Sequence, residues 1–249
     1  MRSSTMSDIS NILKTASKNL SSFSPDKQKE ILDLIEELEA AKTKEEARKE
    51  FLPFVRAMWP GFILGRHHKI MAEAFERVAR GELKRLIINM PPRHTKSEFA
   101  SYLFPAWFLG MYPDKKVIQT AHTAELSVGF GRKVRNLIQN EDFQSVFPGI
   151  ELSTDSKAAG RWNTNKRGDY FAIGVGGAVT GKGADILIID DPHSEQEATM
   201  GEYNPEVYNK VYEWYTSGPR QRLQPGGAII LVMTRWSKKD LTGQIITKS

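Results

Sequence analysis

The 249 residues include no cysteine, which excludes disulfides and any thiolate metal site. That absence fits a reducing compartment, and a cytoplasmic location is expected. Long apolar runs are missing as well. Nowhere do the roughly 18 consecutive apolar residues of a membrane-spanning helix occur, and the start, "MRSSTMSDISNILKTASKNLSS", lacks the apolar centre of a secretory signal. A soluble chain with no membrane partner is expected. No His/Cys/Asp set has zinc-ligand spacing, and no Ser/His/Asp arrangement points to acyl transfer. There is no internal repeat. Residues 1–23, rich in Ser, Lys and Asn, read as a flexible or weakly helical leader.

What is present is 40% apolar residues, enough at this length for a sizeable core, and a formal charge of +5. The charge is uneven. Residues 25–50 hold nine acids against six bases, while residues 51–249 carry a net +6. A positive surplus of this kind suits a polyanionic partner.

From Ser24, "SPD" places a capping residue and a first-turn proline ahead of Ile31, Leu34, Ile35 and Leu38, and a second helical pattern runs from about Lys44 to Met58. Residues 24–60 thus read as a helical segment and 61–249 as the main domain. After a helix over about His67–Arg80 come short runs rich in β-branched residues: "RLIINM", "KVIQTA", "DYFAIGV", "DILIID" and "GAIILVMT". These read as buried strands. Helical stretches over Lys96–Leu109, Thr123–Gln139 and Pro205–Arg222 alternate with them, as in a doubly wound α/β sheet. "GRWNTNKRGDYFAIGVGG" breaks that rhythm and reads as a hairpin inserted between core units. The last stretch, "SKKDLTGQIITKS", stops in mid-helix, so more chain is expected to follow in the parent protein.

The chemistry is concentrated in "NMPPRHTKSEFAS", between an apolar strand and a helix. A phosphate-binding loop aims successive backbone N–H groups at phosphate oxygens, adds a lysine charge, and offers a hydroxyl to Mg²⁺ from the first helical turn. Lys96 and Ser97 supply the last two. The positions that usually hold glycine are Met90 and Thr95, and a β-branched residue resists the positive φ such a loop needs. Pro91 and Pro92 have no N–H, so the cradle is expected from the amides of Arg93, His94, Thr95, Lys96 and Ser97. About 90 residues on, "ADILIIDDPHS" is an apolar strand ending in two carboxylates. There Asp190 is expected to bind the metal and Asp191 to orient or deprotonate an attacking water.

Together, "RLIINMPPRHTKSE", "ILIIDDPHS" and "AIILVMTRW" resemble the ATPase domain of large terminase subunits, the DNA-packaging motors of tailed bacteriophages. The resemblance covers roughly residues 51–249. It implies an α/β P-loop NTPase with a mostly parallel central sheet flanked by helices, a β-hairpin insertion and a helical N-terminal segment. It also implies hydrolysis of ATP with Mg²⁺, in the host cytoplasm at the portal vertex of a procapsid. The implied partners are double-stranded DNA, the portal protein, the small terminase subunit and further copies of the chain in a ring. On this resemblance Arg93 senses the γ-phosphate, Lys96 holds the phosphates and Ser97 and Asp190 hold the metal. Asp191 is the catalytic carboxylate, Thr234 couples the site to the rest of the motor, and His67 and His68 meet the adenine. Lys182, Arg132 and Arg135 are candidates for a cation acting on a neighbour's nucleotide. Two positions depart from the family pattern: Thr95 stands where many members have glycine, and Asp191 where many have glutamate. The family's nuclease domain is absent, so no DNA cleavage is expected. A helicase-like translocase and a non-hydrolysing nucleotide-binding assembly module remain alternative readings.

Lys166 and Arg167 lie on the hairpin tip "NTNKRG", and Arg220 and Arg222 precede the last strand. All four are candidate contacts to a DNA backbone, which would give sequence-independent affinity. Trp107, Trp162, Trp214 and Trp236 read as packing anchors, as does the helical stripe Tyr208, Tyr212 and Tyr215.

Overall fold

The computed structural model describes residues 11, 15, 17–179, 181–201 and 203–248, leaving aside the side chains of 156 and 157. Most of the leader expected over residues 1–23 lies outside the described residues. Seven strands form one sheet: β1 (Arg85–Asn89), β2 (Lys116–Ala121), β3 (Leu152–Ala158), β4 (Arg161–Thr164), β5 (Asp169–Gly174), β6 (Ala184–Asp190) and β7 (Leu223–Met233). Their order is β1-β7-β6-β2-β5-β4-β3. The first five in that order run parallel, and β4 and β3 are added antiparallel at one edge.

The helices are α1 (Pro25–Lys49), α2 (Phe51–Met58), α3 (Arg66–Ala79), α4 (Phe104–Met111), α5 (Ala124–Ile138), α6 (Glu141–Val146), α7 (Glu195–Gly201), α8 (Glu206–Ser217) and α9 (Leu241–Lys248). A π-helical segment, Glu98–Leu103, leads directly into α4.

The inner strands are apolar on both faces because both faces are covered. On one side Val117, Ile186, Ile188, Ile230 and Val232 join a core with Phe51, Phe75, Phe99 and Phe104. On the other, Ile118, Leu187, Ile189, Ile229 and Leu231 pack with Val211 and Tyr215 of α8 and Leu241 of α9. This alternation is the period of two that a strand imposes. Asp190 pairs with Val232, Ala121 with both Asp190 and Gly174, and Asn89 with Met233, so the C-terminal ends of all five parallel strands are level. Gly174 lets that end close up, since a Cβ there would stand 2.5 Å from the backbone N of Ala124, where α5 begins.

Three elements differ from the sequence reading. β4 and β5 do form a hairpin across "NKRG", but β5 is no insertion, since it pairs in parallel with β2 over six residues. Its buried Tyr170, Ala172 and Ile173 require neighbours on both sides. The true addition is the β3–β4 pair, and β3 went unread because "LSTDSKA" is polar, as suits an exposed edge strand. The helical pattern from Lys44 divides at Glu50, whose extended backbone (φ −124, ψ 139) ends α1 and opens α2. Helix α7 was missed although "SEQE" carries a capping box: the Ser194 N–H and hydroxyl donate to the Glu197 carboxylate while the Glu197 N–H donates to Ser194 Oγ at 3.2 Å.

Most of α1 is exposed, and only Ala47 of that helix is buried. Its C-terminal turn is held to the body where Trp107 Nε1 donates to the Ala47 carbonyl at 3.0 Å. The ring of Phe51 then meets those of Phe54, Phe75, Phe99, Phe104 and Trp107 at centroid distances of 5.3–6.5 Å. Phe51→Ala is therefore expected to cost about 3–5 kcal/mol, seen as a lower midpoint in urea denaturation. Leu34→Ala on the exposed part of α1 should stay within about 0.5 kcal/mol of the wild type.

Candidate functional site

The loop after β1 and the turn after β6 leave the same level end of the sheet, with β7 lying between their strands. This brings together residues about 90 positions apart. Ser97 Oγ donates to Asp190 Oδ1 at 2.9 Å. Lys96, buried at 5% exposure, sets its ammonium 2.8 Å from Asp191 Oδ2. Thr234, at the end of β7, touches both partners. Its N–H donates to Asp191 Oδ1 at 2.8 Å, and its hydroxyl donates to the Met90 carbonyl at the entrance of the loop at 3.3 Å.

Asp190 sits in a small polar network. Ser101, one helical turn beyond Ser97, donates to Asp190 Oδ2 at 2.7 Å and accepts from Gln119 Nε2 at 3.0 Å. Burial, reinforced by the neighbouring Asp191 charge, pushes the Asp190 carboxyl up to about 7, against the two serine hydrogen bonds and the Lys96 charge. A divalent cation in this position would favour the ionised form. The donors suit Mg²⁺: both are oxygens, and their 2.9 Å separation is close to the roughly 3 Å between adjacent ligands of an octahedral ion with bonds of about 2.0–2.1 Å. Among the described residues no three His, Asp or Glu side chains converge on one point. The chain thus offers only a few oxygens here, and a Mg²⁺ held by them would need its remaining ligands from outside the protein.

Of the two positions expected to replace glycine, Thr95 is strained and Met90 is not, while strain also falls on two residues the sequence did not suggest. Arg93 and Thr95 adopt φ of 62 and 63, and Asp191 one of 38. Such backbone costs a non-glycine residue roughly 1–3 kcal/mol. At Thr95 a side-chain clip opposes the strain. His68 Nδ1 accepts from the Gly65 N–H at 2.8 Å, so the ring proton is on Nε2, which lies 2.7 Å from Thr95 Oγ1. The Thr95 hydroxyl in turn donates to the His94 carbonyl at 2.6 Å. Burial, with a smaller effect of His67, holds His68 down at about 4, so the ring stays neutral. Expected to meet a base, His68 instead has both nitrogens engaged in the chain. The His67 ring lies 3.8 Å from it, tilted by 46°, and is half-buried, while Arg93 and His94 are exposed.

The cleft beside the loop has a volume of about 780 Å³ and is lined by Pro92, Lys96, Asp191, His193, Thr234 and Trp236, among others. Trp236 is 40% exposed there rather than a packing anchor, whereas Trp107 and Trp162 are buried as expected. The sequence reading did not single out Ser101, Gln119, His122 or His193. His122 Nδ1 lies 3.2 Å from the Asp191 carbonyl, and His193 Nε2 accepts from the Leu241 N–H at 3.0 Å. The Ser97–Ser101 spacing of four in a helix was the one available signal.

The remaining candidates stand away from this cleft. Lys182 lies just before β6, at the opposite end of the sheet, and is paired with Asp169 at 2.6 Å. Arg132 and Arg135 are on α5, about 13 and 18 Å along the helix from its N-cap Thr123. Lys166 and Arg167 form the β4–β5 turn, and Arg220 and Arg222 the 3-10 turn (Pro219–Arg222) before β7, all at the N-terminal ends of parallel strands.

No protein-family model matches the sequence, and no curated protein matches it. Among solved structures the chain is similar to the crystal structure of the HK97 bacteriophage large terminase, with a TM-score of 0.46 and 11% identity over 83% of this chain. It spans 42% of that protein's length.

The His68 clip has a pH signature. A histidine held near 4 in the fold but titrating near 6.5 when unfolded binds more protons in the unfolded state between those values. Stability is therefore expected to fall as pH drops from about 6.5 to 4, by at most about 3 kcal/mol from this group. His68→Gln keeps an acceptor and a donor but does not titrate. Its thermal midpoint should show a shallower loss than the wild type across that window, and equal slopes would remove His68 as the cause.

Proposed function

We propose that the chain is a Mg²⁺-dependent ATPase of the terminase type, whose turnover drives double-stranded DNA into a procapsid. The motif resemblance supports the biological setting, including a ring of copies at the portal and a small terminase subunit as partner. The chemistry rests on one observation: Ser97 meets Asp190 at 2.9 Å while Lys96 meets Asp191 at 2.8 Å. A phosphate-loop lysine and hydroxyl facing two strand-end carboxylates are the parts that phosphoryl transfer to water requires.

In this reading the Lys96–Asp191 ion pair is a resting arrangement. An incoming triphosphate offers Lys96 a stronger anion, and Lys96 turns to the β- and γ-phosphates. Asp191 is thereby released to accept a proton from, or orient, a water in line with the γ-phosphate. The water oxygen bonds to phosphorus as the bond to the ADP oxygen breaks. The Thr234 N–H keeps one Asp191 oxygen in place throughout, while its hydroxyl on Met90 links that carboxylate to the loop. Arg93, exposed and without an ion pair among the described residues, is available to the γ-phosphate. Ser97 and Asp190 would hold a Mg²⁺, which would supply charge neutralisation to the phosphates. Positioning and electrostatics are the whole of the catalysis here.

Phosphate release from ATP, compared between wild type and Lys96→Ala, tests the chemistry. The variant should be slower by at least about 10²-fold, and Asp191→Asn should lose a comparable factor in kcat while still binding a fluorescent ATP analogue. Equal rates in wild type and Lys96→Ala would end the ATPase reading. Uptake of duplex DNA by procapsids without strand separation supports packaging, whereas unwinding of a forked duplex would favour a helicase-like translocase.

A further inference from the structure

We propose that the N-terminal ends of the five parallel strands form a binding surface for the phosphate backbone of duplex nucleic acid. It supplies the duplex contact that the packaging reading needs and takes its purpose, though not its evidence, from that reading. Each of these strands is entered through cations: "RGELKR" before and into β1, "DKK" at β2, "NKRGD" at β5, "GKGAD" at β6 and "PRQRL" at β7. These five segments hold ten cations and four acids, a net +6, which equals the whole surplus of residues 51–249. The rest of that region is balanced. The net surplus, though not every cation, thus sits at one rim, at the opposite end of the strands from the Lys96 cleft.

Contacts along the rim tie the segments to one another. Lys84 Nζ reaches the Gly226 carbonyl at 2.5 Å, Asp185 takes the Lys116 N–H at 2.8 Å and the Lys115 ammonium at 3.0 Å, and the Asp169 N–H donates to the Lys115 carbonyl at 3.2 Å. Arg80, Lys84 and Lys115 surround a hollow of about 260 Å³. Arg85 and Arg220 both act on the Tyr215 hydroxyl, which burial raises against their pull, so they share one neighbourhood. Two of the four acids are spent within the rim, Asp169 on Lys182 and Asp185 on Lys115, and Glu82 is taken by Arg80. Lys84, Arg85, Lys166, Arg167 and Arg220 are exposed and have no carboxylate partner among the described residues.

The kind of polyanion follows from what the rim lacks. Among the described residues, none of the exposed large apolar side chains comes from these segments. A protein partner would ordinarily find an apolar or aromatic centre, and a single strand would find stacking rings. Cations on rigid strand ends without either suit the regular backbone of a duplex, read without regard to sequence. Five parallel strands span about 19 Å, against one duplex charge per about 1.7 Å, so several phosphates can be met at once.

The test is binding of a fluorescent 30-base-pair duplex to the full chain, by anisotropy, between 50 and 250 mM salt and without nucleotide. Lys166→Gln/Arg167→Gln/Arg220→Gln should weaken binding about tenfold or more at 100 mM salt and flatten the slope of log K against log salt by roughly one for each phosphate no longer neutralised. Lys27→Gln/Lys29→Gln/Lys42→Gln on α1 makes the same charge change elsewhere and should bind within about twofold of wild type. Equal losses in both triple variants, no loss in the rim variant, or rim-dependent binding of a 30-nucleotide single strand as tight as that of the duplex would each overturn the proposal. Should the rim triple variant melt early, Arg220→Gln alone carries the test through its slope. Because no nucleotide is used, a chain that releases no phosphate yet loses duplex binding in the rim variants loses only the hydrolysis reading.

Discussion

Two adjacent carboxylates at the end of β6 each hold one residue of the helix that follows β1: Asp190 takes the Ser97 hydroxyl and Asp191 the Lys96 ammonium. Everything around them serves to keep those four groups in register. The arrangement needs β1 and β6 to run parallel and end level, which the pairing of each with β7 enforces. It also needs partners, because Lys96 and Asp190 are almost wholly buried. Removing Asp191 would leave the buried Lys96 charge without its carboxylate, and removing Ser97 or Ser101 would leave an Asp190 oxygen without its donor. The four groups are therefore a structural element of the fold in their own right.

Geometry of this kind stores strain. Arg93, Thr95 and Asp191 all adopt a left-handed backbone that glycine would take without penalty. The missing glycines are answered by hydrogen bonds from neighbouring side chains and backbone. His68 holds the Thr95 hydroxyl, the Thr95 carbonyl accepts from Phe99 at 3.0 Å, and the Thr234 N–H holds Asp191. A glycine loop depends on the ligand to fix its shape, whereas this one is shaped beforehand by its surroundings. Such preorganisation would leave less ordering to be done on binding of any ligand. The π-helical turn at Glu98–Leu103 belongs to the same solution, because Ser97 and Ser101 both face Asp190.

How much of this could be read from residues alone depends on which signal each part leaves. The five parallel strands were legible because burial on both faces writes an unbroken apolar run, as in "ILII" of β6. β3 left no such trace: an edge strand exposed to water needs no apolar pattern. Lys96 and Ser97 after an apolar strand, and Asp190 and Asp191 at the end of another, were legible as a pattern of residue types, and the structure brings the four together. Ser101 and Gln119 were not, because a buried hydroxyl and amide act only through a partner distant in sequence. His68 shows the opposite failure. It was read as an adenine contact, and burial and two engaged nitrogens, which no sequence displays, make it a clip on Thr95. Lys182 was read from its flanking glycines, while its ion pair with Asp169 across the β5–β6 connection was invisible.

β7 connects the two chemical ends of the molecule. It begins at the basic 3-10 turn with Arg220 and Arg222, passes between β1 and β6, and ends at Thr234, which touches both the loop and Asp191. Its first half is irregular, since the step from Leu223 to Ala228 faces only that from Ala184 to Ile186 on β6 and Gly226 has φ 82, whereas from Ile229 on it is paired on both sides. Phosphate entering the cleft would draw Lys96 from Asp191, and the nearest groups to feel that change are the Thr234 N–H and hydroxyl. A polyanion pressing on the rim would act at the other end of the same element. Coupling of the two ends would run through the paired segment from Ile229 to Met233 and would require that Thr234 have two arrangements, one for each partner of Lys96.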